Sequence, residues 1–247
     1  MPQVKHSVEL IRYTSEPENI IAMGAKLCYS GSTVKGLSEK IESKDQSAFI
    51  KKLADMGHMS PIEHASFTFG IEGVSRSFLA QVTRHRIASF SVQSQRYVSQ
   101  AKEGKDFAYI IPPEIEALGQ EAIDKYKQQM ALIDGFYKEW VKELGNKGES
   151  SNEDARFVLP NACETKMIVT MNARELMHFF EIRCCQRAQW EIRAVAWDML
   201  KLCLEVAPNL FANAGPSCVS GPCSEGTMSC GQAVSVREKH KALRGIE

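Results

Sequence analysis

Arg84, His85, Arg86 and Arg96 lie in one short stretch, RHRIASFSVQSQRYV, interleaved with Ser89, Ser91, Ser94, Gln93 and Gln95. No Asp or Glu occurs between Glu72 and Glu103, whereas Arg76, Arg84, Arg86, Arg96 and Lys102 do. The chain as a whole is balanced, with 30 Lys and Arg against 30 Asp and Glu, so this local lack of acid is informative. Guanidinium forks match phosphate and carboxylate oxygens and also lie flat on ring systems. Hydroxyls and amides add neutral, directional hydrogen bonds. Together these groups suit a small anion carrying a heterocycle, such as a nucleotide. The competing reading is a solvated basic face whose charges pair with acids elsewhere in the fold.

A second cationic set lies in NARELMHFFEIRCCQR, where Arg174 and His178, then Arg183 and Arg187, stand four residues apart on helical faces. Glu175, Glu181 and Glu191 are close enough in sequence to neutralise it. No local nucleophile–base–orienter pattern, no HExxH and no paired-acid motif is present. The nucleotide fingerprints GxGxxG and GxxxxGK[ST] are also missing. The chain offers binding groups rather than a reagent of its own, which points to a bound cofactor for the hard chemical step.

The elements that must position these residues follow from periodicity and capping. Ser43 to Gln46 has capping-box spacing ahead of a helix bearing Phe49, Ile50, Leu53 and Met56, ended by Gly57. Ser60 to His64 reads as a loop, and Ala65, Phe67, Phe69 and Ile71 alternate as a strand. Ser75 caps a helix carrying Phe78, Leu79 and Val82, with Gln81 on its other face. A long amphipathic helix runs from Glu121 to Leu144 with the stripe Ile123, Tyr126, Met130, Ile133, Tyr137, Trp140 and Leu144. Asn152 is expected to cap a short helix before Pro160. Lys166 to Met171 reads as a strand, Asn172 starts a helix through Arg183, and Ala188 to Val206 is a further helix stopped by Pro208. Strands and helices do not alternate regularly, so the fold class is α+β rather than a doubly wound sheet.

The 247 residues, 44% of them apolar, can build a substantial core. The neutral balance does not imply wholesale adsorption to nucleic acid or membrane. No apolar run spans a bilayer and MPQVKHSVEL lacks the apolar core of a signal peptide, so a cytoplasmic location is the expectation. Cys28, Cys163, Cys184, Cys185 and Cys203 read as small buried hydrophobes in a reducing compartment.

Arg84-His85-Arg86, seven residues, then Ser94 resembles the signature of the flavin-dependent thymidylate synthases, the ThyX family. Ser60-Pro-Ile-Glu-His64, Arg96-Tyr97, Ala155 to Pro160, Asn172-Ala-Arg174 and Gln189 to Ile192 resemble further family landmarks in family order. The resemblance implies a mixed sheet with long helices and a homotetramer with active sites at subunit interfaces. It implies a catalytic domain over residues 1–209 and a Cys/Gly/Ser-rich tail over 210–247. It also implies FAD as cofactor, with NADPH and methylenetetrahydrofolate as co-substrates, converting dUMP to dTMP without an enzyme nucleophile. Nucleic acid and membrane are not among the implied partners.

By position, the resemblance assigns Ser60, Arg84, His85, Arg86, Asn172, Arg174 and His178 to FAD. It assigns Gln81, Ser94, Gln95, Arg96 and Arg156 to dUMP. Arg183 is placed against the uracil ring, favouring its deprotonated form and stabilising developing charge, while Ser94 positions substrate. Two positions depart from the pattern. Val92-Gln93 stands where many relatives have Glu or Gln two residues before the serine, and Arg187 stands where relatives often have His. A nucleic-acid-binding patch, with only Phe90 and Tyr97 as stacking groups, and a flavin oxidase remain as other readings.

Cys218, Cys223 and Cys230 are separated by four and six residues in the tail. Structural zinc wants four ligands. Cys203, His240 or a neighbouring subunit could supply the fourth, but a flexible Gly/Ser-rich tail with reduced thiols and no metal is the expectation.

Overall fold

A computed structural model describes residues 3–100 and 106–246; Lys102 and Glu103 lie outside the described residues. In order, the elements are β1 (Ser7–Tyr13), α1 (Pro17–Leu27), α2 (Val34–Glu42), α3 (Ser47–Asp55), a 3-10 turn (Pro61–His64), β2 (Ser66–Ser75), α4 (Arg76–Val82) and β3 (Ala88–Val92). They continue with α5 (Pro113–Ala117), α6 (Gln120–Glu143), α7 (Glu149–Ala155), β4 (Glu164–Asn172), α8 (Ala173–Arg183), α9 (Trp190–Val206) and α10 (Ala233–Leu243). The four strands form one antiparallel sheet in the order β1-β2-β4-β3. An isolated parallel bridge, Gln3 to Tyr109, adds pairing of the other kind. The α+β expectation holds. The chain divides into two compact units, residues 3–7, 71–84, 90–100 and 106–168, and residues 8–70, 85–89 and 169–246.

In the first unit, Phe107, Tyr109, Ile111, Met130 and Cys163 form a core on which Ile123, Tyr126 and Ile133 of α6 pack. Further along α6, Tyr137 and Val141 pack with Ala155. Trp140, expected on the buried stripe, is half exposed. A strict alternation of three and four residues drifts relative to a 3.6-residue turn, and by the last turns the inner line runs through Asp134, Tyr137 and Val141. Buried Asp134 is compensated by Lys138 at 2.6 Å and by the backbone N–H of Phe107 at 3.2 Å. Ser75 caps α4 as expected, its Oγ accepting from Phe78 N at 3.0 Å.

Asn152 does not act as a cap. The helix α7 has already begun at Glu149, and Asn152 is buried inside it. Its Nδ2 donates to Arg96 O at 3.1 Å, and its Oδ1 accepts from Tyr137 Oη at 3.3 Å. Gly73, with φ +67, bends β2 so closely past residue 5 that a Cβ there would lie 2.1 Å from Lys5 O.

In the second unit, α3 occupies its expected place but starts at Ser47. Asp45 Oδ1, rather than Ser43, accepts from Ser47 N at 3.0 Å, and Ser43 ends α2. Gly57, at φ +68, supplies the left-handed stop. Ile192, Val195 and Met199 of α9 are fully buried, as their spacing predicts. Phe67 meets Phe211 edge-on at 5.5 Å, and Phe211 meets Phe180 at 6.0 Å. Where a flexible tail is expected, α10 forms and buries Val236 and His240. No helix among the described residues is long and apolar enough to cross a membrane.

Candidate active site

In the second unit the predicted residues gather around α8. The helix begins where β4 ends because Asn172 Oδ1 accepts from Glu175 N at 2.9 Å. In a capping box the N3 acid turns back to the cap residue's own N–H. Here Glu175 turns inward instead and accepts from His85 Nδ1 at 2.9 Å. Arg183 Nε, two turns along α8, donates to His85 Nε2 at 3.1 Å. Both ring nitrogens are therefore committed, with Nδ1 carrying the proton and Nε2 accepting, which fixes a neutral imidazole. Burial lowers the His85 pKa first, and the Arg183 charge adds to it, while the Glu175 hydrogen bond and charge pull the other way. Phe179 closes edge-on against the imidazole at 4.9 Å, and His178 stands 6.0 Å away.

The other predicted flavin residues of this unit have different surroundings. Arg174 Nη1 reaches Glu63 Oε1 at 2.5 Å, so it is tied to the 3-10 turn that follows exposed Ser60. Arg86 and His178 are exposed. The Arg86 side chain has no ion pair among the described residues. Asn172 spends its carbonyl on the cap and keeps its amide. Arg187, one of the two departures, pairs with Glu225 of the tail.

In the first unit Ser94, Gln95 and Arg96 share one turn. Ser94 Oγ accepts from Arg96 N at 3.1 Å and from Tyr97 N at 3.4 Å. The hydroxyl thus shapes the turn, in keeping with a positioning role. Gln95 Nε2 donates to Cys163 Sγ at 3.4 Å. Burial pushes that thiol up to about 11, against the opposing Gln95 hydrogen bond and Arg76 charge, so it stays protonated and a poor nucleophile.

Arg96 is held by α7. Nη2 lies 2.6 Å from Glu149 Oε1. Nε lies 2.7 Å from Glu153 Oε2, in charge contact but not aligned for a hydrogen bond. Arg156 Nε donates to Glu153 O at 3.1 Å, so both predicted phosphate arginines converge on one residue. Gln81 Nε2 donates to Ser77 O at 3.2 Å on α4. Arg84 is exposed, with no side-chain ion pair among the described residues. At the other departure, Val92 closes β3, and Gln93 N donates to Lys166 O at 2.9 Å.

Sequence reading named Glu175 only among the acids that could neutralise the second cationic set, not as the partner of His85, and did not single out Glu149 or Glu153. Glu175 carried a signal, its place in the cap of α8, but the capping pattern predicts the wrong direction for its side chain. Glu149 and Glu153 share a face of α7 at i,i+4, which would have shown had that helix been recognised to start at Glu149.

The arrangement fits an anionic cofactor and an anionic substrate. Among the described residues it holds exposed arginines without side-chain ion pairs, a guanidinium oriented by a neutral imidazole, and no activated thiol or hydroxyl. The comparisons agree with that class. A family profile described as "Thymidylate synthase complementing protein" matches residues 9–209. A Geobacter sulfurreducens protein named flavin-dependent thymidylate synthase is 49% identical over 236 residues, covering 96% of this chain and 98% of its own. Proteins of the same name are 48% identical in Clostridium tetani, over 94% of this chain and 95% of theirs, and 43% identical in Pyrococcus furiosus, over 88% and 89%. The chain belongs to the thymidylate synthase complementing protein family.

Proposed function

We propose that the chain is a flavin-dependent thymidylate synthase, a methyltransferase that converts dUMP to dTMP with methylenetetrahydrofolate as one-carbon donor and NADPH as reductant. The observation that carries the reading is the Glu175–His85–Arg183 chain of hydrogen bonds, built on the signature histidine, in a chain whose near full-length relatives bear that name. Bound FAD would supply hydride transfer, for which no side chain of the protein is suited.

The protein's own residues bind and orient. Arg84, Arg86 and Ser60 present exposed donors for the cofactor's phosphates, and His178, Arg174 and the Asn172 amide would contribute further contacts. Arg96 and Arg156 would take the dUMP phosphate, with Ser94, Gln95 and Gln81 on the nucleoside. A dianionic phosphate competes with Glu149 and Glu153 for Arg96, which the half-exposed setting of those pairs allows. Arg183, with Nε fixed by His85, would face the pyrimidine and favour its anionic form. Ser94 stays a positioning group and no enzyme nucleophile attacks the ring. The assembly would be a cytoplasmic homotetramer with active sites at subunit interfaces, its catalytic domain ending near residue 209.

Purified protein should carry FAD, bleach with NADPH in the absence of oxygen, and change its flavin spectrum when dUMP is added. A colourless protein that cannot be reconstituted with FAD overturns the reading. Arg183→Ala should abolish dTMP formation while retaining flavin; wild-type turnover in that variant removes Arg183 from its role.

A further inference from the structure

Four of the eight cysteines face one space. Cys185, in the short link between α8 and α9, and Cys218, Cys223 and Cys230 of the tail all line a cavity of about 440 Å³. The fourth thiol that the tail spacing calls for is thus Cys185. Cys203 and His240, the candidates the sequence offered within this chain, do not line this cavity, and burial raises the Cys203 thiol pKa well above the usual range.

The tail holds its thiols in place with polar contacts that nothing in the proposed reaction uses. Arg237 Nε donates to Cys218 O at 2.7 Å and its Nη2 to Gly221 O at 2.9 Å. Ser217 Oγ meets Ser224 Oγ at 2.9 Å and accepts from Ser224 N at 3.0 Å, closing the loop between Cys218 and Cys223. Glu225, two residues past Cys223, is anchored by Arg187.

We propose that Cys185, Cys218, Cys223 and Cys230 are the four thiolate ligands of an iron–sulfur cluster. Zinc would need the four sulfurs about 2.3 Å from a single ion, hence within about 4 Å of one another. Among the described residues no three such side chains are gathered to hold one ion. In a cluster each thiolate binds at a different place on a core of several atoms, so sulfurs spread around a roomy cavity are the arrangement to expect. The cavity is many times the volume of one water, about 30 Å³. The four-residue step from Cys218 to Cys223 also occurs in iron–sulfur ligand runs. Arg183 and Arg187 line the same space together with Glu181 and Glu225, and Arg187 is paired with Glu225.

Loading is a ligand exchange. A preassembled cluster supplied from outside the chain gives up four labile thiolate ligands. Four Fe–Sγ bonds form, and the four cysteine protons leave with the departing thiolates. Oxidation states do not change.

The test is elemental analysis of full-length protein purified without oxygen, with iron, acid-labile sulfide, zinc and flavin measured separately. Iron and sulfide should be stoichiometric with the chain. Cys185→Ser and Cys230→Ser should each lose the iron, and Cys28→Ser, outside the cavity, should keep it. Because Cys230 is exposed, its variant remains informative if Cys185→Ser fails to fold. Protein that takes up no iron on anaerobic reconstitution, protein holding one zinc and no iron, or a Cys230→Ser variant that keeps its iron overturns the proposal. His178 and Arg183 of the proposed reaction site also line this cavity, but the two readings fail separately. Iron without flavin would sink that reading alone, and flavin without iron would sink this one alone.

Discussion

Replacing Glu175 tests the contact on which the proposed position of Arg183 depends. His85 and Glu175 are only 7% and 6% exposed, and their hydrogen bond is 2.9 Å long. A hydrogen bond to a charged group contributes about 1.5–3 kcal/mol net. Glu175→Ala removes it and leaves the Nδ1–H buried without its acceptor, a further penalty of about 1–3 kcal/mol. Relaxation and water entry recover part of this, so a loss of about 3 kcal/mol is expected. Glu175→Gln keeps an oxygen acceptor in place and loses the charge assistance alone, about 1 kcal/mol. Urea denaturation of both variants at pH 8 measures the two losses.

The same pair sets a pH dependence. The folded His85 pKa is lowered, by burial first, so between about pH 6.5 and that lower value the unfolded chain binds the extra proton. His85's contribution is fully present above about pH 6.5 and is lost as pH falls through the folded pKa, with a slope of at most about 1.4 kcal/mol per pH unit. Protonation also removes the lone pair that accepts from Arg183. His85→Gln should remove that component of the acid slope. A Glu175→Ala variant within about 0.5 kcal/mol of wild type, or an acid slope unchanged in His85→Gln, refutes the buried neutral-imidazole account.

Gly73→Ala should destabilise by about 3 kcal/mol or more, read as a large fall in melting temperature, because its φ is +67 and the new Cβ would meet Lys5 O at 2.1 Å. Joint replacement of Glu149 and Glu153 by Gln should change stability by no more than about 1 kcal/mol, since the Arg96 pairs are half exposed, yet tighten dUMP binding severalfold in calorimetry by freeing Arg96; unchanged or weaker binding removes the competition proposed for that arginine. Iodoacetamide at pH 8 should modify exposed Cys28 before Cys163, Cys184 or Cys203, whose thiols burial holds protonated, with peptide mass mapping as the readout. Asn172→Ala should cost about 1 kcal/mol through loss of the α8 cap.

The sequence yields those features whose cause is local. Ser75 and Asn172 cap their helices because a short polar side chain three residues ahead of a free N–H needs nothing from the rest of the fold. The strands at Phe67 and Val169 and the buried face of α9 follow likewise from periodicity. β1, α1, α2 and β3 did not enter the reading, although Thr33 caps α2 by accepting from Gly36 N and α1 carries Ile20, Ile21, Ala22 and Ala25. Ser43 and Asn152 misled because several polar residues near a helix start can cap it, and the choice among them is tertiary.

The site divides in the same way. Its cations are legible because an acid-free run in a neutral chain is visible without a fold. Their partners are not, since His85 is 90 residues from Glu175 and Arg96 more than 50 from Glu149. That difference decides how the residues of one motif should be weighed. Arg84 and Arg86 project outward without side-chain ion pairs among the described residues, so each can meet a ligand without first breaking a bond. His85 between them points inward and spends both nitrogens on the fold. On the proposed function the signature is two binding residues around one structural pivot, and His85→Gln should weaken the hold on Arg183 more than it weakens the grip on a cofactor's phosphates. Flavin affinity and turnover at saturating FAD, measured side by side, separate the two, and a variant with weakened flavin affinity whose turnover is restored in full by saturating FAD would place His85 at the cofactor instead.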